Sequence, residues 1–411
     1  MKLTDKTTNN ITTEILIIGG GITGTSTAFF LTKAGHEVTL LERGELASEA
    51  SGLNAGTLWQ IGWDTSPDLS TTLSMGGLEL FKMLQFELGY DIEFRQSGAL
   101  KAIQTEEQLD FLQKEVQHLK SQGYSLEILT MRDAQSIEPE LSSALSGCLL
   151  YPLGGSANPV KTTRALASAA QQRGTRILTN HEVSTIEYLD NGSYKVVTNK
   201  GIFQTKTLVL AAGPWCRNIG SMLSLHIPVF PVRGQMWSTG PVPPRLFHAL
   251  GAAESTHFWH RNPFSNKDTP LELTHRGDVR LTRHLYGRQT RDGEIIFGGD
   301  RQLSNSKTPD EAGIEVNRNH VFEIFPFLRQ FPIKRTWAGL MPFTQNLEPI
   351  IGKIPQHENL YIVTGLSSSG FEKGPMSGKL LAEYIHNAKA SPVLFSADPS
   401  RQVTALAVDA D

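Results

Sequence analysis

The chain has 411 residues, of which 39% are hydrophobic and 19% are charged, and its formal net charge is -3. This length allows two domains and a large core, and the small charge gives no sign of a nucleic-acid partner or an anionic membrane surface. Cys148 and Cys216 lie far apart without metal-ligand spacing, so we expect reduced, partly buried thiols and no metal site. We find no secretory signal and no apolar run that could cross a bilayer, so a cytoplasmic protein is expected.

A glycine-rich loop near the N-terminus is the most informative segment. The predicted elements around it are a strand at residues 15–18, a helix at 22–34 and a second strand at 37–41. Gly19, Gly21 and Gly24 have the G-x-G-x-x-G spacing, and Glu42 follows the second strand as a candidate ribose ligand. The helix N-terminus offers free N–H groups to a pyrophosphate. The complete strand-helix-strand unit predicts dinucleotide binding.

The rest of the chain contains two kinds of segment, one that mixes helices with strands and one that is mostly strands. The clearest further elements are helices at about 106–120, 159–173 and 374–387, a hairpin at 182–198, and strands at 206–212 and 360–364. From about residue 228 to 330, apolar strands alternate with polar loops, which favours a largely antiparallel sheet. We therefore predict an α/β fold in which a discontinuous nucleotide-binding domain comprises residues 13–90, 145–225 and 332–390. Residues 91–144 and 226–331 form the predicted substrate domain, and 1–12 and 391–411 the predicted flexible termini.

Several later segments carry a family resemblance. They are the sequences at residues 51–56, 209–215, 231–235, 292–299, 338–344, 349–352 and 360–365. In order and type they resemble the D-amino-acid oxidase superfamily, closest to its glycine oxidase and sarcosine oxidase branch. This resemblance implies a glutathione-reductase-type FAD-binding Rossmann domain and a second, antiparallel substrate domain.

The resemblance also implies the FAD contacts, residue by residue. They are Gly19, Gly21, Ile22, Thr23, Gly24, Glu42, Arg43, Ala50, Ser51, Asn54, Ala55, Gly56, Val183, Gly213, Gly339, Ser369, Gly370, Phe371, Glu372 and Lys373. No cysteine stands near residue 341 and no histidine near Asn54, the positions that carry a covalent flavin in some members. Non-covalent FAD is therefore expected.

The chain departs from the family on the substrate side. Many members grip a substrate carboxylate with an arginine where this chain has Met341. Sarcosine-oxidase-like members have a lysine at Glu372, one position from Lys373, and the lysine linked to oxygen activation falls near Ile296. Oxidase and dehydrogenase activity therefore both stay open.

Candidate substrate-side residues are Arg288, Lys373, Met341 and Trp59. Arg288 is either an anion ligand or a surface arginine, and Trp59 either a pocket wall or a core residue. A second group, His257, Trp259 and His260, could bind substrate, act as a base or occupy an exposed loop, and the loop is the favoured interpretation.

The resemblance implies oxidation of the Cα–N bond of an amino acid or secondary amine, by hydride transfer to flavin N5, to an imine that hydrolyses. The partners would be a small-molecule substrate and an electron acceptor, either oxygen or a quinone. Two alternatives remain: a 2-hydroxy-acid dehydrogenase, and a non-catalytic redox-sensing flavoprotein.

Overall fold

A computed structural model describes residues 10–60, 68–264, 266–355 and 357–406. Two eight-stranded sheets organise these residues. The predicted α/β fold is confirmed, with one mainly parallel sheet and one mainly antiparallel sheet.

The first sheet contains the glycine loop. Its main path runs in the order Ile350–Lys353, Leu360–Thr364, Ile202–Leu210, Asn10–Ile18, Val38–Leu41 and Arg176–Leu178. All neighbours along this path are parallel except the first pair. The predicted hairpin, Val183–Tyr188 with Tyr194–Thr198, extends antiparallel from Ile202–Leu210. Helices cover this sheet, so its parallel strands Val38–Leu41 and Leu360–Thr364 and residues 15–18 of its first strand are wholly buried.

The second sheet faces the first. Its order is Arg335–Phe343, Phe230–Pro241, Glu294–Leu303, Tyr286–Gln289, Ala249–Ala252, Ala99–Ile103, Gly147–Tyr151 and Glu127–Leu129. Only the pairing of Ala249–Ala252 with Ala99–Ile103 is parallel. Three short two-stranded pairs complete the described strands: Thr57–Leu58 with Gly155–Ser156, Leu225–His226 with Thr404–Ala405, and His275–Arg276 with Val279–Arg280.

The helices cover both sheets. The α-helices are α1 (Ile22–Lys33), α2 (Leu69–Lys82), α3 (Glu106–Ser121), α4 (Met131–Ile137), α5 (Pro159–Gln171), α6 (Cys216–Ser221), α7 (Glu254–Arg261), α8 (Glu311–Ile324) and α9 (Gly370–Asn387). A π-helical turn spans Met83–Glu87, and 3-10 turns span Gly213–Trp215, Pro326–Gln330, Ser367–Ser369, Pro392–Ala397 and Pro399–Arg401. The predicted cap of α5 is present, since the Asn158 side chain accepts from Lys161 N–H at 3.1 Å and Pro159 opens the helix.

The sheets divide the chain differently from the predicted segments at two places. Gly147–Tyr151 and Arg335–Phe343 pair within the second sheet, although the prediction placed both in the nucleotide-binding domain. Both differences have the same cause. The sequence pattern of an apolar strand predicts that the strand exists but does not predict which strand it pairs with.

The prediction of flexible ends is wrong for the described parts of both. Residues 10–12 belong to the first strand and pair with 202–204, while residues 1–9 lie outside the described range. Near the C-terminus, Leu394 and Ala397 are buried against the first sheet's helices. Residues 407–411 lie outside the described range.

Candidate active site

One cavity of about 1050 Å³ lies between the two sheets. Its floor includes Ile18, Leu41 and Thr364, which are the last residues of three parallel strands. The carboxyl ends of parallel strands are the usual place for a ligand in such sheets. Its opposite wall comes from the second sheet, with Gly234, Met236, Gly251, Tyr286, Arg301, Gly339 and Met341.

The glycine loop leaves room for a ligand at one specific position. A Cβ on Gly19 would stand 2.4 Å from the carbonyl oxygen of Ala211, and one on Gly24 would stand 2.0 Å from that of Gly19. These two glycines are needed for close packing of the loop and α1. Gly21 lines the cavity, and a Cβ there would meet only Ser51, at 3.0 Å from its Oγ. The α1 N-terminus is therefore open to an anion beside Gly21.

Glu42 is fixed at the end of the second parallel strand. Its two carboxylate oxygens accept from Gly20 N–H at 2.7 Å and Gly44 N–H at 2.8 Å. Next to it, the Arg43 guanidinium lies 3.8 Å from the centre of the Trp215 ring. Glu42, Arg43, Trp215 and Val183 all line the cavity. This arrangement forms the end of the cavity that suits a nucleoside.

Part of the loop after Glu42 lines the cavity, and another part packs behind the cavity wall. Ser51 Oγ accepts from Ile22 N–H at 2.9 Å, which ties the loop to the start of α1. Ala50, Ser51 and Asn54 line the cavity, whereas Ala55 and Gly56 lie behind its wall. A Cβ on Gly56 would stand 2.0 Å from the Ala157 carbonyl oxygen, so this glycine is required by packing.

The start of α9 supplies a further part of the wall. Gly370 opens the helix with no side-chain cap at Ser369. Glu372 is 7% exposed, and its oxygens accept from Trp59 N–H at 2.7 Å and from the Ser74 hydroxyl at 3.0 Å. Lys373 Nζ is held by Ser70 Oγ at 2.8 Å.

The cavity collects most of the predicted site residues. Those that line it are Gly19, Gly21, Ile22, Thr23, Glu42, Arg43, Ala50, Ser51, Asn54, Trp59, Val183, Gly213, Gly339, Met341, Ser369, Gly370, Phe371, Glu372 and Lys373. Gly24, Ala55, Gly56 and Arg288 do not line it.

Arg288 is neither at the surface nor on the cavity wall. The residue is 2% exposed, and its guanidinium donates to the carbonyl oxygens of Ala55 and Ala157. Burial lowers the pKa of this guanidinium to about 10. Arg288 therefore holds the loop behind the cavity, where it lies out of reach of a ligand inside it.

The interpretation of residues 257–260 as a loop is wrong. They belong to α7, and Trp259 and His260 line the cavity while His257 does not. The indole N–H of Trp259 donates to the Leu273 carbonyl at 2.9 Å, so the ring is fixed.

Sequence reasoning missed four polar residues of the second wall: Lys101, His284, Tyr286 and Arg301. Burial lowers the pKa of His284 well below its ordinary value, and the charges of Arg301 and Lys101 lower it further. Burial raises the pKa of Tyr286 to about 12. A signal existed for Arg301, because it directly follows Asp300 at the end of the apolar run 295–299, and two charged residues in such a strand are unusual.

The cysteines and histidines give no sign of a metal centre in the part of the chain that the structure describes, where no group of three potential ligands comes together. Cys148 and Cys216 are free and buried, and burial raises the pKa of each thiol to about 12.

A family model for FAD-dependent oxidoreductases matches residues 14–384, and this match covers most of the chain. The chain belongs to the FAD-dependent oxidoreductase family. The flavoprotein is 27% identical to the glycine oxidase of Geobacillus kaustophilus over 92% of its own length and 94% of the relative's. It is 25% identical to a D-amino acid dehydrogenase of Neisseria gonorrhoeae, over 90% and 95% of the two chains.

Solved structures agree with this assignment. The crystal structure of L-proline dehydrogenase from P. horikoshii matches with a TM-score of 0.80 at 27% identity, covering 96% of this chain and 98% of that one. FAD is the cofactor of this family, and the cavity fits it. The open space at Gly21, the start of α1 and the fixed Glu42 lie in the order that a dinucleotide requires. No helix in the described ranges has the length and apolarity of a membrane span.

Proposed function

We propose that this flavoprotein oxidises the Cα–N bond of an amino acid or a secondary amine to an imine, which then hydrolyses in water. The observation that carries the proposal is the shape of the cavity. It continues from the glycine loop to a wall of aromatic and cationic side chains on the second sheet. A small substrate can therefore share one continuous space with the cofactor.

FAD, when bound, supplies the two-electron acceptor for this chemistry. The chain's own contribution is orientation and exclusion of water. Trp59 and Trp259 both line the substrate side, and each has its indole N–H satisfied by the protein, Trp59 by Thr57 Oγ1 at 3.1 Å. These rings are thus held in place as flat, apolar walls against which a substrate can be positioned.

The start of α9 has a second expected role. The helix begins at Gly370 without a side-chain cap, and Ser369 and Gly370 line the cavity. A helix N-terminus favours negative charge, so this end of α9 would stabilise charge that develops in the cavity during the reaction.

The test is an anaerobic screen for bleaching of the bound flavin by amines, amino acids and 2-hydroxy acids. Reduction by an amine or amino acid, with the corresponding carbonyl compound as product, supports the proposal. Preferential reduction by a hydroxy acid would assign a 2-hydroxy-acid dehydrogenase instead. A fully loaded protein that none of these compounds reduces would favour a redox-sensing role.

The electron acceptor is tested on the same reduced protein. We expect reoxidation by oxygen or by a quinone, and stopped-flow mixing with each acceptor separates the two. Neither a lysine nor another cation stands at Ile296, which is 7% exposed and packs against Met236 and Ala55. We therefore expect slow reoxidation by oxygen and faster reoxidation by a quinone.

A further inference from the structure

We propose that Arg301 binds the carboxylate of the substrate, which makes the substrate class amino acids rather than simple amines. The inference rests on the proposed function and narrows it. It begins from Met341, whose thioether cannot pair with a carboxylate at the position where many relatives carry an arginine.

Arg301 reaches the same wall of the cavity from another strand. Gln302 and Leu340 are both paired with Arg233, in the strand that runs between theirs. Arg301 and Met341 therefore stand on strands two apart, about 10 Å across the sheet, and on opposite sides of this shared row, so they are offset by two residues, about 7 Å, along the strands. Both line the cavity. A guanidinium at 301 can thus serve a ligand that lies against this wall.

The other cations of the cavity fit this role less well. Arg43 pairs with Glu49 at 2.8 Å and covers the Trp215 ring at the nucleoside end. Lys373 Nζ is held by Ser70 on α2. Lys101 donates to Thr256 Oγ1 at 3.2 Å, and its Nζ lies 5.5 Å from the centre of the Tyr151 ring. Lys101 adds positive charge to the substrate side but lacks the planar fork that matches a carboxylate.

The Arg301 side chain is preorganised. Its guanidinium lies 4.4 Å from the centre of the Trp259 ring, and its backbone N–H donates to Thr274 Oγ1 at 2.7 Å. The residue is 7% exposed, so the orientation of the fork is set by its surroundings before any ligand arrives. A preorganised donor loses little entropy when it binds a ligand.

Part of the donor capacity of Arg301 is already in use. NH1 donates to Glu272 at 2.6 Å, and NH2 lies 3.5 Å from His284 Nε2. Among the described residues these are its side-chain hydrogen bonds, so several of the five N–H groups remain for a carboxylate. Glu272 also lines the cavity and is half-exposed, which allows it to turn toward water when a second carboxylate binds.

The experiment measures binding and turnover on the FAD-loaded protein. Phenylacetate and phenylacetamide are titrated against the flavin absorbance spectrum as a charged and a neutral probe of the same shape. Phenylalanine, as both enantiomers, and phenethylamine are compared as anaerobic reductants. The variants are Arg301→Met, Arg301→Lys and a matched control, Arg276→Met. Arg276 is an exposed arginine that stacks on Phe264 and does not line the cavity.

We expect phenylacetate to bind the wild type more tightly than phenylacetamide. Arg301→Met should weaken phenylacetate binding roughly 10- to 100-fold, the range expected for a lost charge-assisted hydrogen bond, and leave phenylacetamide unchanged. Arg301→Lys should weaken phenylacetate binding several-fold, since lysine keeps the positive charge but lacks the planar fork of the guanidinium. Arg276→Met should behave as the wild type. The preference of turnover for phenylalanine over phenethylamine should fall in parallel.

Two results would overturn the inference. One is a wild type that binds phenylacetate no better than phenylacetamide. The other is an unchanged preference for phenylacetate in Arg301→Met, or in Arg301→Lys if the methionine variant fails to retain FAD. The binding titration does not depend on turnover. A protein that binds phenylacetate through Arg301 but is reduced by no amine or amino acid would refute the proposed function alone.

Discussion

The Glu372 carboxylate accepts a hydrogen bond of 2.7 Å from the backbone N–H of Trp59, a residue 313 positions earlier in the chain. Its other oxygen accepts from the Ser74 hydroxyl on α2 at 3.0 Å. One buried side chain thus links the start of α9 to two other segments of the cavity wall.

Loss of this link should destabilise the protein. Glu372→Leu leaves two buried donors without an acceptor, which should cost about 1–3 kcal/mol of unfolding free energy in urea. Glu372→Gln retains one acceptor oxygen and should cost less. The control is Glu383→Gln, because the Glu383 carboxylate pairs with Lys379 on the exposed face of α9, and its loss should change stability by under about 1 kcal/mol. Equal stability of Glu372→Leu and the control would show that the link is unimportant.

The purified protein should be yellow and should release intact FAD when it is denatured. The reason is that the described residues around the cavity include no cysteine or histidine beside Met341 or Asn54 to which a flavin could be bonded. Chromatography of the supernatant identifies the flavin. Colour that remains with the precipitated chain would contradict non-covalent binding, and recovery of FMN alone would contradict the choice of cofactor.

Gly21→Val should abolish FAD binding without unfolding the chain. The new side chain would occupy the open space beside the start of α1, where a Cβ at residue 21 would have only Ser51 within 4 Å. We expect a loss of about 3 kcal/mol or more, roughly 100-fold in affinity. The matched control is Gly240→Val, because a Cβ there meets nothing within 4 Å. The ratio of flavin to protein absorbance measures the result, and full flavin content in Gly21→Val would show that this loop does not bind the phosphates.

Stability should fall in acid because of His320. This side chain is fully buried and lies 2.7 Å from the Gln104 side-chain oxygen, and burial lowers its pKa from 6.5 to about 3. The unfolded chain takes up a proton below about pH 6.5, whereas the folded protein does so only near pH 3. The stabilising effect of the neutral ring is therefore complete above pH 6.5 and decreases as the pH falls toward 3.

The size of this effect can be measured. At pH 5 His320 alone should cost about 2 kcal/mol of unfolding free energy relative to pH 7. Urea unfolding of wild type and His320→Gln at both pH values checks this, since the variant has no proton to take up at this position. Equal pH dependence in the two proteins would show that other groups cause the acid sensitivity.

Much of the first sheet could be predicted from the sequence, because its signals are local. Gly24 is required by a contact with the nearby Gly19 carbonyl, Gly19 has a φ of +119° in the turn, and α5 begins where Asn158 and Pro159 predict it. Residues of the second wall could not be found in the same way. Lys101 and Arg301 lie far apart in the sequence and line the same cavity only because of the order of the strands in the second sheet.

Long-range packing also explains why the predictions for Arg288 and for the C-terminal residues differ from the structure. Arg288 looks like a surface or ligand-binding arginine in a hairpin, but Ala55 and Ala157, from distant loops, close over it. Leu394 follows a segment with weak signals, yet it is buried because α9 brings the chain back to the core. In both cases the deciding contact comes from residues remote in sequence.

Met341 should determine how small a substrate the protein accepts. Its side chain lines the cavity next to Gly234, since a Cβ on that glycine would lie 3.1 Å from the Met341 methyl group. A carboxylate held against this thioether, away from Arg301, lacks the charge-assisted hydrogen bonds, worth about 1.5–3 kcal/mol, that a substrate large enough to reach Arg301 would keep. Glycine and sarcosine should therefore reduce the flavin slowly, and bulkier amino acids or secondary amines should do so faster. Anaerobic stopped-flow rates for each compound measure the difference.

Met341→Arg should reverse this order of preference. The new guanidinium would give a small amino acid a bidentate partner at this part of the wall, and its apparent affinity should improve about ten- to a hundredfold. Met341→Gln, which is polar but uncharged, is the matched control and should improve glycine and sarcosine much less. If glycine or sarcosine is already the best substrate of the wild type, Met341 has been misinterpreted. If Met341→Arg leaves small amino acids no better than Met341→Gln does, this side chain does not contact the substrate.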